Sequence, residues 1–581
     1  MQKIFEIREP AKLRGSEAGH SGVLEDRGES RSTNSQRRLF DLVAAGLGGS
    51  HLHLEDIFSI RGPLDPEALG VALRLLAARH PVLRARFVDR DRHVIGAVDD
   101  LRVETLDVST SSFDSTPDSA AQITAEAAVR IRAFVERPFN LTREPPWRAG
   151  LIRVDADLHW LVIVIHHIAH DRWSRDIIRR EIGVFYDRVT SGASPLVGDL
   201  PIRLDDVADW QHRLLAGPTG ERLVDWWSRE LEGVPAAGGL RPFTGGVGSR
   251  ERARIRRYLA PETTRELRAL ANRADVGLLV PLLAAYGLLL REQGSGDDFL
   301  ICTPMAGRED GLVQGLVGYL ANIVVVRIRF PTKDFTTQSL LGHFRGIVEG
   351  AYVHQDLPMQ ELACLAAPGL RPRSLFALQN TPGYPLRLAG CVVEPIELPG
   401  GRTDFESFLE VAPAGPRLAL DLAHDASVIA EPDAAAALER YAELLAALVE
   451  DRVELRHAAP RQRVNAAVPA VNHAIDESTT GRDRAGRERW VAARLSALLG
   501  GVDLDASLQS LGVGSLALLQ WLAAVERELG VALPLSTDLT TLPLLALAER
   551  TLDHIELDTM LRRPIELGEL PGGRGFDTIE L

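Results

Sequence analysis

At 581 residues the chain has room for roughly three or four domains of ordinary size, and its 45% apolar and 25% charged residues exclude a disordered or collagenous protein. Acidic side chains outnumber basic ones 80 to 66, a formal net charge of −14, and without a compensating basic block the phosphate-neutralising footprint of a DNA or RNA binder is missing. The only lysines, Lys3, Lys12 and Lys333, never follow a glycine, so a phosphate loop ending in Gly-Lys-Ser/Thr, and with it a self-contained P-loop ATPase, is ruled out.

Residues 1–31, rich in Glu, Arg, Gly and Ser, show no sustained periodicity and lack the apolar core of a signal peptide, which predicts a flexible leader. Order is expected from Ser32. Leu64 to His80 spaces its leucines and alanines as an amphipathic helix opened by Asp65-Pro66, and a second helix is expected over Ala120 to Glu136. RAGLIRVDADLHWLVIVIHH then predicts two strands joined by a turn at Asp155 to Asp157. The second strand is continuously apolar, as strands buried on both faces are, and it ends on two histidines.

A Gly/Pro loop near Gly233 to Gly248 splits this region into halves of comparable size, so two lobes with a cleft between them are expected, and substrates favour such clefts. The most apolar window, Val276 to Leu290, contains Pro281 and falls short of the roughly 20 residues that span a bilayer. Cys302, Cys364 and Cys391 form no C-x-x-C pair, which points to a reducing compartment and away from a disulfide framework or cysteine zinc site. A soluble cytoplasmic protein is the expectation. From Ala458 to Arg484 periodicity fails, as in a linker; the helical pattern of 486–555 predicts a small bundle of three or four helices, and a tail carrying Pro564 and Pro571 runs to Leu581.

The sharpest chemical feature is His166-His167-Ile168-Ala169-His170-Asp171, directly after the strand LVIVI. Successive strand residues point to opposite faces, so one histidine can face a cavity while its neighbour packs inward. A neutral, oriented imidazole there can accept a proton from an attacking amine or hydroxyl, or hydrogen-bond a developing tetrahedral centre. Asp171 lies past the strand end, where it can fix the loop by pairing with an arginine. Two other local readings stand beside this one: a strand that ends in polar residues, and a metal site of His166, His170 and Asp171, which lacks an H-E-x-x-H helix or a downstream ligand cluster.

IHHIAHDRWS resembles the core motif of the condensation domains of nonribosomal peptide synthetases, and the surrounding chain supplies that family's other motifs in order. Thr33 to Phe40 (TNSQRRLF) resembles the opening motif and Arg79 to Phe87 (RHPVLRARF) the second, while Asp206 to Trp210 partly matches the fourth. Thr303 to Arg308 (TPMAGR) resembles the loop lining the tunnel floor, Val317 to Asn322 (VGYLAN) through Arg327 the fifth motif, and His354 to Pro358 (HQDLP) the sixth. The resemblance runs from about Ser32 to Arg452.

It implies an α/β (α+β) fold, a two-lobed chloramphenicol-acetyltransferase-like pseudo-dimer over 32–455 with lobes at about 32–215 and 216–455, and a tunnel reached by carrier domains from opposite ends. It implies His167 as the catalytic position, His166 as its inward neighbour and Asp171 as the structural acid, with Arg308 as the partner of Asp171 and Arg148 as the alternative. Asn322 and Arg172 are the further tunnel residues it singles out. Arg172 stands where the family has glycine; its bulk and fixed charge either face solvent, or narrow the tunnel or recruit an acidic acyl or acceptor group. The seventh motif, near Arg371 to Asn380, is eroded.

Leu511-Gly512-Val513-Gly514-Ser515-Leu516 precedes the helical stretch ALLQWLAAVERELG. Taken alone, Ser515 reads as a helix N-cap. The segment resembles the attachment motif of peptidyl carrier proteins, over 486–555 behind a 456–485 linker, with Gly514 in place of the usual Asp or His. That resemblance implies an all-α four-helix bundle and 4′-phosphopantetheine on Ser515. Together the two resemblances imply a nonribosomal peptide synthetase subunit that joins a carrier-bound acyl or peptidyl thioester to an acceptor amine, or to a hydroxyl. The implied partners are an upstream acyl or peptidyl carrier protein, an adenylation domain acting in trans, a phosphopantetheinyl transferase, and the next synthetase subunit or a releasing enzyme, with no nucleic acid, membrane or metal. Residues 556–581 read either as a docking segment or as a disordered tail. Two rival readings are a non-catalytic recruitment domain of the same fold and a stand-alone acyltransferase using coenzyme A thioesters.

Overall fold

Apolar runs and helical periodicities resolve, in the computed structural model, over residues 29–452 apart from 46–47, 99–102, 107–124, 195–199, 235–237, 241–251, 332–334, 366–372, 380–382, 399–400, 402 and 404. The expectations for residues 1–28, for the linker, for Ser515 and its bundle, and for the tail lie outside the described residues. The first half of the chain forms β1 (Glu29–Arg31), α1 (Asn34–Ala44), β2 (His53–Arg61), α2 (Pro66–Arg79), β3 (Ala85–Phe87), β4 (Arg92–Ile95), β5 (Val103–Thr105), α3 (Ala125–Glu136), β6 (Trp147–Arg153), β7 (Leu158–His166), α4 (Arg172–Thr190) and α5 (Leu204–Leu215). The second half forms α6 (Pro218–Leu231), β8 (Arg252–Tyr258), α7 (Pro261–Arg273), α8 (Leu279–Leu290), β9 (Asp298–Met305), β10 (Asn322–Arg329), α9 (Thr337–Val353), α10 (Met359–Leu365), β11 (Ser374–Leu378), β12 (Val392–Pro395), β13 (Ser407–Ala414), β14 (Arg417–Asp425) and α11 (Glu431–Val449).

Two large sheets carry these halves. One has the order β12-β2-β7-β6-β5 and the other β10-β9-β11-β13-β14-β8, beside a small β1-β4-β3 sheet. β7 is buried along its whole length, because β2 and β6 flank it and helices cover both faces. Leu161, Ile163 and Ile165 pack in one core with residues of α2 and α4; Trp160, Val162 and Val164 pack in another with Ile131 and Phe134 of α3. The continuous apolar run is therefore what a strand needs when neither face meets water.

α2 starts where its sequence says. The Asp65 side chain accepts from the Glu67 and Ala68 N–H groups and Pro66 takes the first helical position, so two of the orphan donors of the first turn are satisfied. The apolar window at 276–290 becomes α8, buried from Val280 to Leu290, as expected of a helix that is apolar on all sides. Among the described residues no helix is long and apolar enough to cross a membrane.

Two features differ from a simple reading. Order begins before Ser32: β1 pairs antiparallel with β4, Ser30 opposite His93, and Ser30 is only 6% exposed. The chain also crosses back between lobes, since β12, from the second half, hydrogen-bonds to β2 of the first, Val393 opposite Ile60.

Candidate active site

His166 closes β7, and His167 opens the short 3₁₀ turn His167–Ala169 that leads to α4. The backbone leaves the strand between them, and this change, more than strand alternation, sends the two rings into different surroundings. His166 is buried. Its Nδ1 accepts the Ile168 N–H at 3.1 Å, so the neutral ring carries its proton on Nε2, and it packs with centroids 5.9 Å from both His53 and Phe139. Burial, with the neighbouring His53 adding to it, holds its pKa well below the ordinary histidine value.

His167 is half-buried. Its Nδ1 donates to the His170 carbonyl at 2.7 Å, which leaves Nε2 unprotonated in the neutral ring and free to accept. Burial lowers its pKa; the bond to the His170 carbonyl and the charge of Asp171 oppose that, and Arg38 adds to it, with a net depression. A neutral imidazole with its lone pair fixed on Nε2 is the form that takes a proton from an amine.

Asp171 is the N-cap of α4 and is fully engaged. It accepts from the Ser174 N–H at 2.8 Å and the Ser174 hydroxyl at 2.7 Å, from the Leu320 N–H at 3.2 Å, and from Arg308 Nη2 at 3.1 and 3.0 Å on its two oxygens. Arg308 also donates to the carbonyls of Val313, Leu316 and Gly318 at 2.9, 2.8 and 3.1 Å, and the two side chains are 1% and 3% exposed. Burial raises the Asp171 pKa, but Arg308 and Ser174 outweigh it and the net shift is downward. The carboxylate therefore stays ionised, and its oxygens serve these donors, which excludes it from holding a metal. Among the described residues no group of three His, Cys, Asp or Glu side chains is placed to do so. Gly307 makes the approach possible: it has φ 64°, and a Cβ there would sit 2.7 Å from the Leu320 carbonyl oxygen.

The other singled-out residues go to different places. Arg148 is committed elsewhere; it donates to the carbonyls of Phe134 and Val135 in the last turn of α3 and of Arg137 just after it, and stacks 4.0 Å from the Phe139 ring centre, so it serves a helix C-terminus. Asn322, first residue of β10, donates to the Gln355 and Leu357 carbonyls at 2.8 and 2.7 Å and so ties the fifth motif to the sixth. Arg172 is the first residue of α4 and is exposed. Burial nevertheless leads the causes that lower its pKa, with Glu410 opposing and Arg175 and Arg179 adding. Arg175 and Arg179 both bond to Asp56, while Arg172 makes no ion pair with another described residue.

Ser174, Tyr319 and Arg38 lie within the quoted motifs, but sequence reasoning gave none of them a role. Ser174 carried a signal, being three residues after an N-cap aspartate. Tyr319, whose ring centre lies 4.4 Å from that of His167, carried none, because the contact joins distant parts of the chain.

Comparison with known proteins places these residues in context. The condensation-domain family matches residues 27–452, and the phosphopantetheine attachment-site family matches 489–546, the segment that contains Ser515. The chain is 29% identical over 408 residues to cyclosporin synthetase of Tolypocladium inflatum, covering 67% of this chain and 3% of that protein. It is 32% identical over 423 residues to a probable non-canonical nonribosomal peptide synthetase of Salinispora arenicola, covering 68% and 5%. It thus spans a small fraction of these relatives' length. Among solved structures, the X-domain from teicoplanin biosynthesis superposes with a TM-score of 0.63 at 23% identity over 74% of this chain and 96% of that one. The first condensation domain of the calcium-dependent antibiotic synthetase, in complex with a substrate analogue, gives 0.60 at 18% over 74% and 98%. These likenesses show the two-lobed chloramphenicol-acetyltransferase-like fold. The group that the second matched segment carries is 4′-phosphopantetheine.

Proposed function

The chain belongs to the condensation-domain family, with a phosphopantetheine attachment domain following in the same polypeptide, and from that membership we propose that it catalyses bond formation between a carrier-bound acyl or peptidyl thioester and an acceptor amine, or a hydroxyl. One observation carries the reading: His167 holds its Nδ1 proton on the His170 carbonyl and keeps Nε2 free in a half-buried position. Nε2 takes the proton of the attacking amine as its nitrogen bonds to the thioester carbon, and when the C–S bond breaks the protonated ring returns that proton to the sulfur, so the donor arm leaves as a thiol. Asp171 and Arg308 hold the turn and do not react. Ser515 is the site of the pantetheine arm, whose thiol presents the acceptor for attack or takes the product onward.

An adenylation domain acting in trans, an upstream carrier protein, a phosphopantetheinyl transferase and a following subunit or releasing enzyme complete the assembly, with residues 556–581 as the docking segment. On this reading the condensation unit starts with β1 near residue 29 and runs to about 455, followed by a linker over 456–485 and the carrier over 486–555. The second reading is a recruitment domain that does no chemistry and holds partner enzymes near the carrier; the exposed Arg172, where the family has glycine, favours it. The test is intact-mass analysis after loading with a phosphopantetheinyl transferase and coenzyme A, then mixing with acyl-loaded donor carriers. A mass increase lost in Ser515→Ala, followed by appearance of the condensed product, is the expected result. Normal loading with no product from any donor–acceptor pair favours recruitment.

A further inference from the structure

The first turns of α1 reach both sides of the histidine. Gln36 Nε2 donates to the Ile168 carbonyl at 3.1 Å, inside the turn that carries His167. The Thr33 and Ser35 hydroxyls donate to the Tyr319 and Ala321 carbonyls at 3.2 and 2.9 Å. Farther along, Arg38 Nη2 donates to the Tyr319 hydroxyl oxygen at 3.1 Å. Tyr319 is 3% exposed, and its ring lies 4.4 Å from that of His167 at an interplanar angle of 45°. α1 thus clamps the histidine turn of one lobe to the Tyr319 segment of the other.

We propose that Tyr319, held through its hydroxyl by Arg38, is a positioning residue for His167: its ring walls one face of the imidazole and its hydroxyl fixes the guanidinium charge beside it. The inference rests on His167 acting as read above. The bond from Nδ1 to the His170 carbonyl tethers the ring at one atom, and a single bond leaves rotation about it open. A packed aromatic wall supplies the second constraint, and near-attack geometry depends on such constraints. The charge has its own effect. The groups acting on His167 are Asp171 of α4 and the His170 carbonyl, which favour the protonated ring, and Arg38 of α1, which opposes it. With Arg38 fixed in place the imidazole stays a base, and an amine arriving beside that guanidinium is disfavoured as ammonium and attacks as the free base.

Two readouts on the full chain test this. In the first, the titration of ring-labelled His167, assigned with His167→Gln, is followed by NMR and needs no turnover. Arg38→Gln is expected to raise the titration midpoint by about 0.5–1 pH unit, Tyr319→Phe to move it in the same direction by less, and Arg38→Lys to leave it near the wild-type value. In the second, Tyr319→Phe, which keeps the ring and loses only the anchor, is expected to lower kcat for condensation about 3–10-fold with KM within about twofold. A midpoint that stays at the wild-type pH in Arg38→Gln, or in Tyr319→Phe should the former not fold, overturns the proposal whatever the rates. If the midpoints move as expected while the wild type forms no product, the positioning pair stands and the condensation reading falls.

Discussion

Replacing Arg308 by alanine leaves the Asp171 carboxylate buried without the guanidinium that balances it, and the carbonyls of Val313, Leu316 and Gly318 lose their donor as well. Breaking a buried pair in this way costs about 3–5 kcal/mol, so denaturant unfolding of Arg308→Ala is expected to show that loss; a change below about 1 kcal/mol contradicts the structural role. Arg172→Gly is the contrasting substitution. Arg172 makes no ion pair with another described residue, so stability is expected to change by less than about 1 kcal/mol, while the ratio of rates for acidic and neutral donor substrates shifts if the side chain recruits an acidic group; an unchanged ratio shows that it faces solvent without selecting substrate. The His167 and Asp171 positions were legible because a histidine pair after a buried strand and an acid beyond it are local patterns. Which nitrogen stays free was not, since it depends on how the turn brings the His170 carbonyl round. Tyr319 stands inside the quoted VGYLAN motif, yet its contact with His167 was not legible, because an aromatic residue in a glycine-containing stretch carries no sign of what it meets in a distant part of the chain.

At the scale of elements, α4 illustrates how close packing overrides propensity. Gly183 lies buried in it, and a Cβ there would sit 2.5 Å from the Arg387 carbonyl oxygen. Helix propensity alone favours Gly183→Ala by up to about 1 kcal/mol. The obstructing atom is backbone, so the 386–388 segment must move, and the substitution is expected to destabilise by about 1–3 kcal/mol; thermal denaturation showing stabilisation contradicts this packing. Capping and periodicity made α2 and β7 legible, the former through Asp65-Pro66 and the latter through its unbroken apolar run. β12 was not. Its four residues, Val392–Pro395, have a mixed exposure pattern, and nothing in them says that their partner is β2, in the other half of the chain. The loop near Gly233 does not mark the change of halves, since Leu223, Trp227 and Leu231 of α6 before it pack in the core of the second half, and the strand that crosses back is specified only by tertiary pairing.

For the whole molecule, the buried histidines make stability depend on pH. His53 and His93 are lowered to about 4 and His170 to about 3, in each case chiefly by burial, and His166 is also held well below its ordinary value by burial. The unfolded chain binds these protons near pH 6.5 and the folded one does not, so the unfolded state holds more protons as pH falls. Stability present above pH 6.5 is then lost progressively down to about pH 4, by on the order of 1–2 kcal/mol per histidine at pH 5. Asp41 acts in the opposite sense: burial raises its pKa to about 6 despite Arg90 and Arg37, and it returns part of the loss between pH 6 and its unfolded value. A thermal midpoint that falls steadily from pH 7 to pH 5 is expected; a flat profile contradicts it.

The proposed chemistry depends on one side chain, His167. The most direct measurement is the single-turnover rate of product formation, followed by mass on the Ser515-linked arm with a loaded donor carrier, for the wild type and His167→Ala at equal loading. Loss of a positioned general base lowers such a rate about 10²–10⁴-fold, and that drop, with both proteins fully loaded, is the expected result. Equal rates for the two proteins contradict the assignment of His167 as the catalytic base.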